Sequence, residues 1–394
     1  MEIELRNVEA SSPLIRSFSP NGQALEQQVV DTEFGSVLVA HQGADHRTTP
    51  SRPVILTYPD LGLNHVTNYQ SFFAGPDMQL LLRTFSVLHV NPPGQEEGAA
   101  TLPQDFCYPT MDQLAEQLEA VCQHFGVGCV IGFGVGLGAN VLSRFALQRP
   151  HRMDGLFLIN ATAGRSSWTE WLYQVSRVSH SVVSDSCFLP QKMNMYYLSS
   201  VPQSLTGTFP QSTQDYLMWH HFGDVDNNRN RDLIYVYRSL FSGQHLNARN
   251  LSLLIDSYIR RSDLNLYRDQ RENNIRCPTQ ILCGHDAPHV DDTIEFNGRM
   301  NPELCTWMKL QDCSMVLEEQ PGKVAESLRL FIQGLGHSLS VPNQQLEQRK
   351  GSSSMSSTSE IALTDEREDQ SVHIVENPIA EQVGSVSRLH SIPV

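Results

Sequence analysis

A glycine-rich segment of the chain has the spacing that hydrolases use to present a nucleophile. Residues 132–136 read Gly-Phe-Gly-Val-Gly and match the G-x-S-x-G nucleophile elbow, a sharp strand-to-helix turn that exposes a serine above a parallel sheet. An apolar run precedes the segment, and an apolar helical pattern follows it. Gly134 stands where the serine would be, and glycine has no side chain that could attack a carbonyl carbon. The segment therefore predicts a nucleophile elbow without its nucleophile.

The other two positions of a serine–histidine–acid triad also lack the required groups. In this arrangement the acid and then the histidine follow the nucleophile along the chain. The acid normally lies three residues past the glycine that ends a strand, and that position holds Ala287, one residue after Asp286. The histidine normally lies seven residues before the proline of a Glu-x-Pro signature, and counting back from Pro321 gives Ser314. The sequence therefore predicts no serine-hydrolase activity.

Three other interpretations of these residues remain open. Residues 134–139 also fit G-x-G-x-x-A, the dinucleotide fingerprint, but that site needs an acid at the end of the next strand, which here ends in Asn160. The segment could also be a structural glycine-rich turn without hydrolase ancestry. The third interpretation is a hydrolase with displaced catalytic residues, drawn from Asp60, His65, His285 or Asp286. For Asp60 and His65 the sequence favours a hydrogen-bonded loop over catalysis.

The loop after the apolar strand at 53–58 is the second element that a hydrolase site requires. In a hydrolase of this design, this loop and the residue after the nucleophile supply the backbone amides of the oxyanion hole. We therefore expect a vestigial pocket formed by six residues: Asp60, Leu61, Gly62, Asn64, His65 and Val135. We expect no metal and no cofactor.

The elements that must position these residues alternate between apolar strands and amphipathic helices over residues 26–165. One of the helices starts at a capping box formed by Thr110 and Gln113. This alternation predicts an α/β-hydrolase fold with a mostly parallel, doubly wound sheet. Over residues 166–271 aromatic-rich helical patterns replace the strands, which indicates a helical cap or a plain packing insertion, and the core resumes over 272–337.

Both ends of the chain lack the periodicity of folded elements. Residues 1–25 are predicted to be flexible. Residues 338–394 contain no aromatic side chain and are rich in serine, so they cannot bury enough apolar surface to offset the entropy of ordering, which predicts a disordered tail. Arg349 and Lys350 precede three candidate sites for a basophilic kinase: Ser352, Ser353 and Ser354.

The composition argues against several classes of protein. The net charge is −15 and basic residues form no block, so binding to nucleic acid through phosphate neutralisation is not expected. The sequence has no signal-peptide core and no apolar run near 18 residues, so we expect a cytoplasmic protein without a transmembrane segment. The eight cysteines form no C-x-x-C pair, which indicates reduced thiols rather than disulfides or zinc ligands.

Several motifs together resemble those of one known family. They are the segments LTYPDLGLNH at 56–65, HVNPPGQ at 89–95, YPTMDQLA at 108–115, IGFGVG at 131–136, RFAL at 144–147 and QPGK at 320–323. Over roughly residues 28–337 the chain resembles the NDRG (N-myc downstream-regulated) family. It departs from that family at Pro59 and Asn91, where the family usually has histidine and aspartate, and its tail lacks the repeated Arg-Ser-Arg-Thr-type motif of some members.

The resemblance implies a non-catalytic α/β-hydrolase fold that acts in cytoplasmic signalling, stress response, growth and differentiation control, and vesicle trafficking, with a tail that kinases phosphorylate in some members. The leading hypothesis is a signalling or adaptor protein whose surfaces and former pocket bind protein partners. The alternatives are a hydrolase with displaced catalytic residues and a sensor that binds a small ligand or a lipid head group in the vestigial pocket. Peripheral membrane association and the oligomeric state stay open.

Overall fold

The structure, a computed structural model, describes residues 25–48, 52–166, 211–223, 230–242 and 246–338. The predicted flexible N-terminus except its last residue, part of the predicted cap, and the tail beyond residue 338 lie outside these ranges. The candidate phosphorylation sites Ser352, Ser353 and Ser354 lie in that tail, so they stay predictions. In the part of the chain that the structure describes, no helix is long and apolar enough to cross a membrane.

The fold is built on one sheet, which has eight strands in the described ranges. The strands are β1 (Glu26–Val30), β2 (Val37–Gly43), β3 (Val54–Tyr58), β4 (Ser86–Val90), β5 (Val130–Val135), β6 (Met153–Ile159), β7 (Thr279–Gly284) and β8 (Cys305–Leu310). Their order across the sheet is β1-β2-β4-β3-β5-β6-β7-β8. Strand β2 pairs antiparallel with β1 and β4, and all other neighbours pair parallel.

Helices connect the strands and cover both faces of the sheet. They are α1 (Ser71–Ala74), α2 (Gln79–Thr84), α3 (Met111–His124), α4 (Leu137–Gln148), α5 (Gln211–Phe222), α6 (Arg231–Leu240), α7 (Ala248–Ile259), α8 (Val290–Arg299), α9 (Val316–Glu319) and α10 (Pro321–Gly334). Adjacent residues of β3 show the two layers: Leu56 packs in the core cluster that contains α3 and α4, and Ile55 packs in the cluster that contains α2 and α10. The predicted doubly wound α/β-hydrolase fold is confirmed.

Local signals in the sequence locate most of these elements well. The Thr110 hydroxyl accepts a hydrogen bond from the Gln113 amide (3.3 Å), and the Gln113 side chain accepts one from the Thr110 amide (2.9 Å), so the predicted capping box is present. Helix α8 was not predicted from the sequence, and its buried residues are only Thr293 and Phe296. So few buried positions leave few apolar residues to mark a helix in the sequence.

The described helices between β6 and β7, namely α5, α6 and α7, belong to the same core as the sheet. Their buried side chains lie in the cluster that also contains strand residues and helices α3 and α4. The large aromatic side chains among them are Tyr216, Phe222, Tyr237, Phe241 and Tyr258. This packing brings the end of α5 against the loop that follows β3.

Candidate functional site

The residue at the sharp turn between β5 and α4 is Gly136, not Gly134. Gly136 has φ 50° and ψ −109°, in the positive-φ half of the Ramachandran map that residues with a side chain rarely adopt. Gly134 lies inside β5, paired with Tyr58 and Leu158 of the neighbouring strands. A Cβ atom on Gly134 would lie 2.7 Å from the backbone nitrogen of Ala139. The predicted serine position was therefore wrong by two residues.

The error has a simple cause, since alternate glycines satisfy the G-x-S-x-G spacing in two registers. Residues 134–138 read Gly-Val-Gly-Leu-Gly and place Gly136 at the centre, where the backbone turns. Gly138 is the second flanking position, and a Cβ atom there would collide with the carbonyl oxygen of Tyr58. Because the centre of both registers is glycine, no nucleophile stands at the elbow in either of them.

The side chain of Asp60 occupies the space in front of the elbow. A Cβ atom on Gly136 would lie within 3.0 Å of all three atoms of that carboxylate group. The Asp60 Oδ1 atom accepts hydrogen bonds from the backbone amides of Leu61 (2.7 Å) and Leu137 (2.9 Å). In an α/β-hydrolase the amide after the nucleophile and an amide from the loop after the third strand form the oxyanion hole. With Gly136 at the elbow, these two amides are Leu137 and Leu61, and a carboxylate of the chain itself fills the hole.

This geometry also changes one member of the predicted pocket. Val135 belongs to the predicted pocket because it follows Gly134. It lies in β5, however, and the amide that reaches the site is that of Leu137, the residue after Gly136. Leu61, another residue of the predicted pocket, donates its backbone amide to Asp60. Gly62 has φ 74° and packs against Leu217 of α5, so it adapts the loop to the cap helix.

Two adjacent histidines at the end of α5 complete the site, and the sequence analysis missed them. The Nε2 atom of His220 lies 3.0 Å from Asp60 Oδ1, and the Nδ1 atom of His221 lies 3.6 Å from Asp60 Oδ2. The Nε2–H group of His221 donates to the carbonyl oxygen of Leu61 (2.9 Å). Asp60, His220 and His221 are only 6%, 2% and 6% exposed. The one signal in the sequence was a His-His pair at the end of an aromatic helix.

Burial and charge act against each other in this cluster. Burial alone would raise the pKa of the Asp60 carboxyl, but the two histidines and the Leu137 amide outweigh it and hold that pKa well below its usual range. Burial lowers the pKa of His221 to about 4, against the opposing attraction of Asp60. The carboxylate is therefore ionised at neutral pH, and His221 is neutral.

The remaining residues of the predicted pocket form a hydrogen-bonded loop. The Asn64 side chain accepts from the backbone amides of Val66 (3.0 Å) and Thr67 (3.1 Å). The His65 ring lies 3.1 Å from the Asn91 side-chain oxygen through Nδ1, and its backbone amide donates to the same oxygen (2.9 Å). These contacts fix the path of the loop that presents Asp60.

The two other triad positions, as counted in the sequence, carry no catalytic group. Ala287 is buried after β7, and Ser314 is buried after β8 with its backbone amide donating to Glu319 (2.7 Å). His285 and Asp286, considered for a displaced site, are exposed, whereas Asp60 is buried. The structure thus does not place them with Asp60 in one buried cluster.

Two further ionisable groups lie beside the cluster. The His289 ring centroid is 5.1 Å from that of His220, and its Nδ1–H group donates to Asp292 (3.1 Å). The Tyr237 hydroxyl donates to the Glu318 carboxylate (2.8 Å), and burial raises the pKa of Glu318 to about 7. The site is therefore a packed, polar cluster held between the sheet edge and the cap helices.

Solved structures similar to this chain show the fold. An esterase from Thermogutta terrifontis is 16% identical, with a TM-score of 0.57, over 79% of this chain and 100% of that structure. An enol-lactonase from Burkholderia xenovorans LB400 is 14% identical, with a TM-score of 0.56, over 78% of this chain and 100% of that structure. Likeness at this level of identity establishes the α/β-hydrolase architecture.

Relatives in sequence identify the family. Protein NDRG3 of Xenopus tropicalis is 36% identical over 327 residues, which cover 82% of this chain and 75% of that protein. Protein NDRG2 of Bos taurus is 32% identical over 359 residues, which cover 90% of each. The Ndr family profile matches residues 27–338. This profile match and these relatives show that the chain belongs to the Ndr family.

Proposed function

We propose that the chain is a catalytically inactive α/β-hydrolase-fold protein that acts as a cytoplasmic signalling or adaptor protein, in stress response, growth and differentiation control, and vesicle trafficking. The observation that carries the inactivity is the position of Asp60. Its Oδ1 atom accepts from the Leu61 and Leu137 amides, the two groups that would stabilise an oxyanion. An ester substrate would have to displace this carboxylate before its carbonyl oxygen could reach either amide.

The magnitude of this effect is large. Removal of a single oxyanion-hole donor typically lowers kcat by about 10²–10³-fold. Here both donors are already engaged, and the Asp60 charge that engages them would also repel the negative charge of a tetrahedral intermediate. In addition, the elbow residue Gly136 has no side chain that could act as a nucleophile. Each of these three features alone would suppress acyl transfer.

The adaptor role follows from what remains of the scaffold. Side chains of the sheet and of the described cap helices pack together in one hydrophobic cluster. Such a scaffold can act through the molecules that it binds rather than those that it turns over. The motif resemblance to a family implicated in cytoplasmic signalling and trafficking supports protein partners in that compartment.

One experiment tests the inactivity. The purified full chain is incubated with a fluorophosphonate probe and with a panel of short-chain esters, beside an active serine esterase. We expect neither labelling nor turnover. Stoichiometric labelling mapped to any residue, or turnover that follows the protein through purification, would favour the displaced-hydrolase alternative instead.

A second experiment tests the adaptor role. Proximity labelling in cells compares the full chain, a chain that ends at Leu339, and the labelling enzyme alone. We expect the full chain to enrich cytoplasmic signalling and trafficking proteins over the enzyme alone, and the shortened chain to show which contacts need the tail. Enrichment no greater than that of the enzyme alone would contradict the proposal.

A further inference from the structure

The geometry points to a divalent transition-metal site formed by Asp60, His220 and His221, at which one ion joins cap helix α5 to the loop after β3. One ligand atom from each residue lies within 4.8 Å of the other two, and all three residues are buried. The inference does not depend on the proposed function, because metal binding and acyl transfer are measured separately.

The spacing of the donor atoms suits a tetrahedral ion. Ligand bonds of about 2.0–2.1 Å at tetrahedral angles place two donor atoms about 3.3 Å apart. The distance is 3.0 Å between Asp60 Oδ1 and His220 Nε2, and 3.6 Å between Asp60 Oδ2 and His221 Nδ1. The two distances lie on either side of this value and involve different oxygens of Asp60, so an ion would bind both oxygens or draw one of them toward both rings.

The tautomer of His221 provides a second, independent observation. Its Nε2 atom faces the carbonyl oxygen of Leu61, which can only accept a hydrogen bond, so Nε2 carries the proton. The other ring nitrogen, Nδ1, therefore faces the Asp60 carboxylate, 3.6 Å from Oδ2, and it is the atom that can bind an ion shared with that carboxylate.

The surroundings of the cluster resemble the outer shell of a metal site. Metal-bound histidines usually donate their other ring N–H to a carbonyl or a carboxylate, as His221 does to Leu61. Asp60 is oriented by two backbone amides. His220 would bind the ion through Nε2 and hold its proton on Nδ1, an atom that is buried and has no hydrogen-bond partner among the described residues. The neighbouring His289 has a buried Nε2 atom that also lacks a partner there, and its ring centroid is 5.1 Å from that of His220.

A second cluster in the described ranges, His41, Asp45 and His46, serves as an internal comparison. There the carboxylate already pairs with a cation, because Arg47 Nε lies 2.9 Å from Asp45. Both histidines of that cluster lie within 3.0 Å of the Ser86 hydroxyl. Its hydrogen bonds are satisfied without an ion, so His41 offers a matched control.

The donor set favours Zn²⁺ as the probe. Two imidazoles and one carboxylate form a common three-ligand set for zinc, with a fourth position left to water. An ion held this way would tie α5 to the core, since Asp60 and His220 are 160 residues apart in the chain. Its role would then be to fix the cap on the sheet.

The test measures zinc on the full chain. The protein is purified from cells grown with added zinc, and its metal content is determined by mass spectrometry. A metal-free sample is then titrated with Zn²⁺ against a chromogenic chelator. We expect one zinc per chain and a higher thermal midpoint with zinc, and Co²⁺ should give the visible absorption of a four-coordinate site.

Two variants and a control decide the outcome. Asp60→Asn should fold, because its side-chain oxygen can still accept from the two amides and its NH₂ group can donate to His221. Both Asp60→Asn and His221→Gln should bind zinc at least about 100-fold more weakly than the unmodified chain. His41→Gln should bind as the unmodified chain does. Absence of zinc binding, or an affinity that is unchanged in either Asp60→Asn or His221→Gln, would overturn the site.

Discussion

Replacement of Gly136 by alanine probes the contact between the elbow and Asp60. The backbone of Gly136, at φ 50° and ψ −109°, is strained for any other residue, which costs about 1–3 kcal/mol. The new Cβ atom would lie within 3.0 Å of the Asp60 carboxylate, so this group must move. The movement gives up hydrogen bonds from the Leu61 and Leu137 amides, each worth about 1.5–3 kcal/mol with a charged acceptor. We therefore expect Gly136→Ala to lower the free energy of unfolding by at least about 4 kcal/mol.

A double-mutant cycle isolates the contact. In an Asp60→Ala background the added methyl group has room, so Gly136→Ala should cost only the backbone strain of about 1–3 kcal/mol. The coupling between the two substitutions should then reach about 3 kcal/mol, measured by urea unfolding. If the Gly136→Ala chain does not fold, a folded double variant would demonstrate the same coupling between the two positions.

Gly134 supplies the matched control for this cycle. A Cβ atom on Gly134 would meet the backbone of Gly138 and Ala139 rather than Asp60. Gly134→Ala and Asp60→Ala should therefore be additive within about 0.5 kcal/mol. Additivity at Gly136, or strong coupling at Gly134, would refute the assignment of the elbow and restore the register that the sequence suggested.

Other predictions concern pH and the tail. Acidification from about pH 6.5 to 4 should destabilise the fold through His221, because its pKa falls to about 4 on folding and the unfolded chain therefore binds the proton first. In the His221→Gln variant, the free energy of unfolding measured with urea should change less with pH over this range. Glu318 acts in the opposite sense, because its pKa rises to about 7 on folding and its contribution to the free energy of unfolding is lost as pH rises through 7. The Glu318→Gln variant should therefore be more stable than the unmodified chain at about pH 8. A chain that ends at Leu339 should keep its thermal midpoint within a few degrees by calorimetry, and a large drop would show that the tail packs on the body. Ser352 should be phosphorylated in stimulated cells, and an unmodified 349–359 peptide across growth and stress conditions would contradict this.

The fold was predictable because its signals are local. The apolar run at β3, the capping box before α3 and the proline that opens α10 each lie within a few residues of the structure that they specify. Helix α8 was missed because its segment is polar overall and buries only Thr293 and Phe296.

The site was harder to predict because its decisive features are not local. Gly134 and Gly136 both satisfy the elbow spacing, and only the backbone conformation at the turn separates them. The partners of Asp60 are 77 residues away at Leu137 and 160 residues away at His220. No motif spans such separations in a single sequence. Only the packing of the cap helix on the loop after β3 brings these groups together.

Asp60 accepts hydrogen bonds from the Leu61 and Leu137 amides, and for this reason we expect that no single substitution would give the chain serine-hydrolase activity. In a working hydrolase the amides of the oxyanion hole stabilise a negative charge that develops only in the transition state. Here the Asp60 carboxylate supplies that charge permanently, and His220 and His221 hold it from the cap helix. A Gly136→Ser variant would place its side chain against this carboxylate, and removal of Asp60 would take away the carboxylate that His220 and His221 contact. The elbow, the two amides and the cap helix are therefore coupled through the Asp60 side chain, so we expect serine-hydrolase activity to require changes at all three.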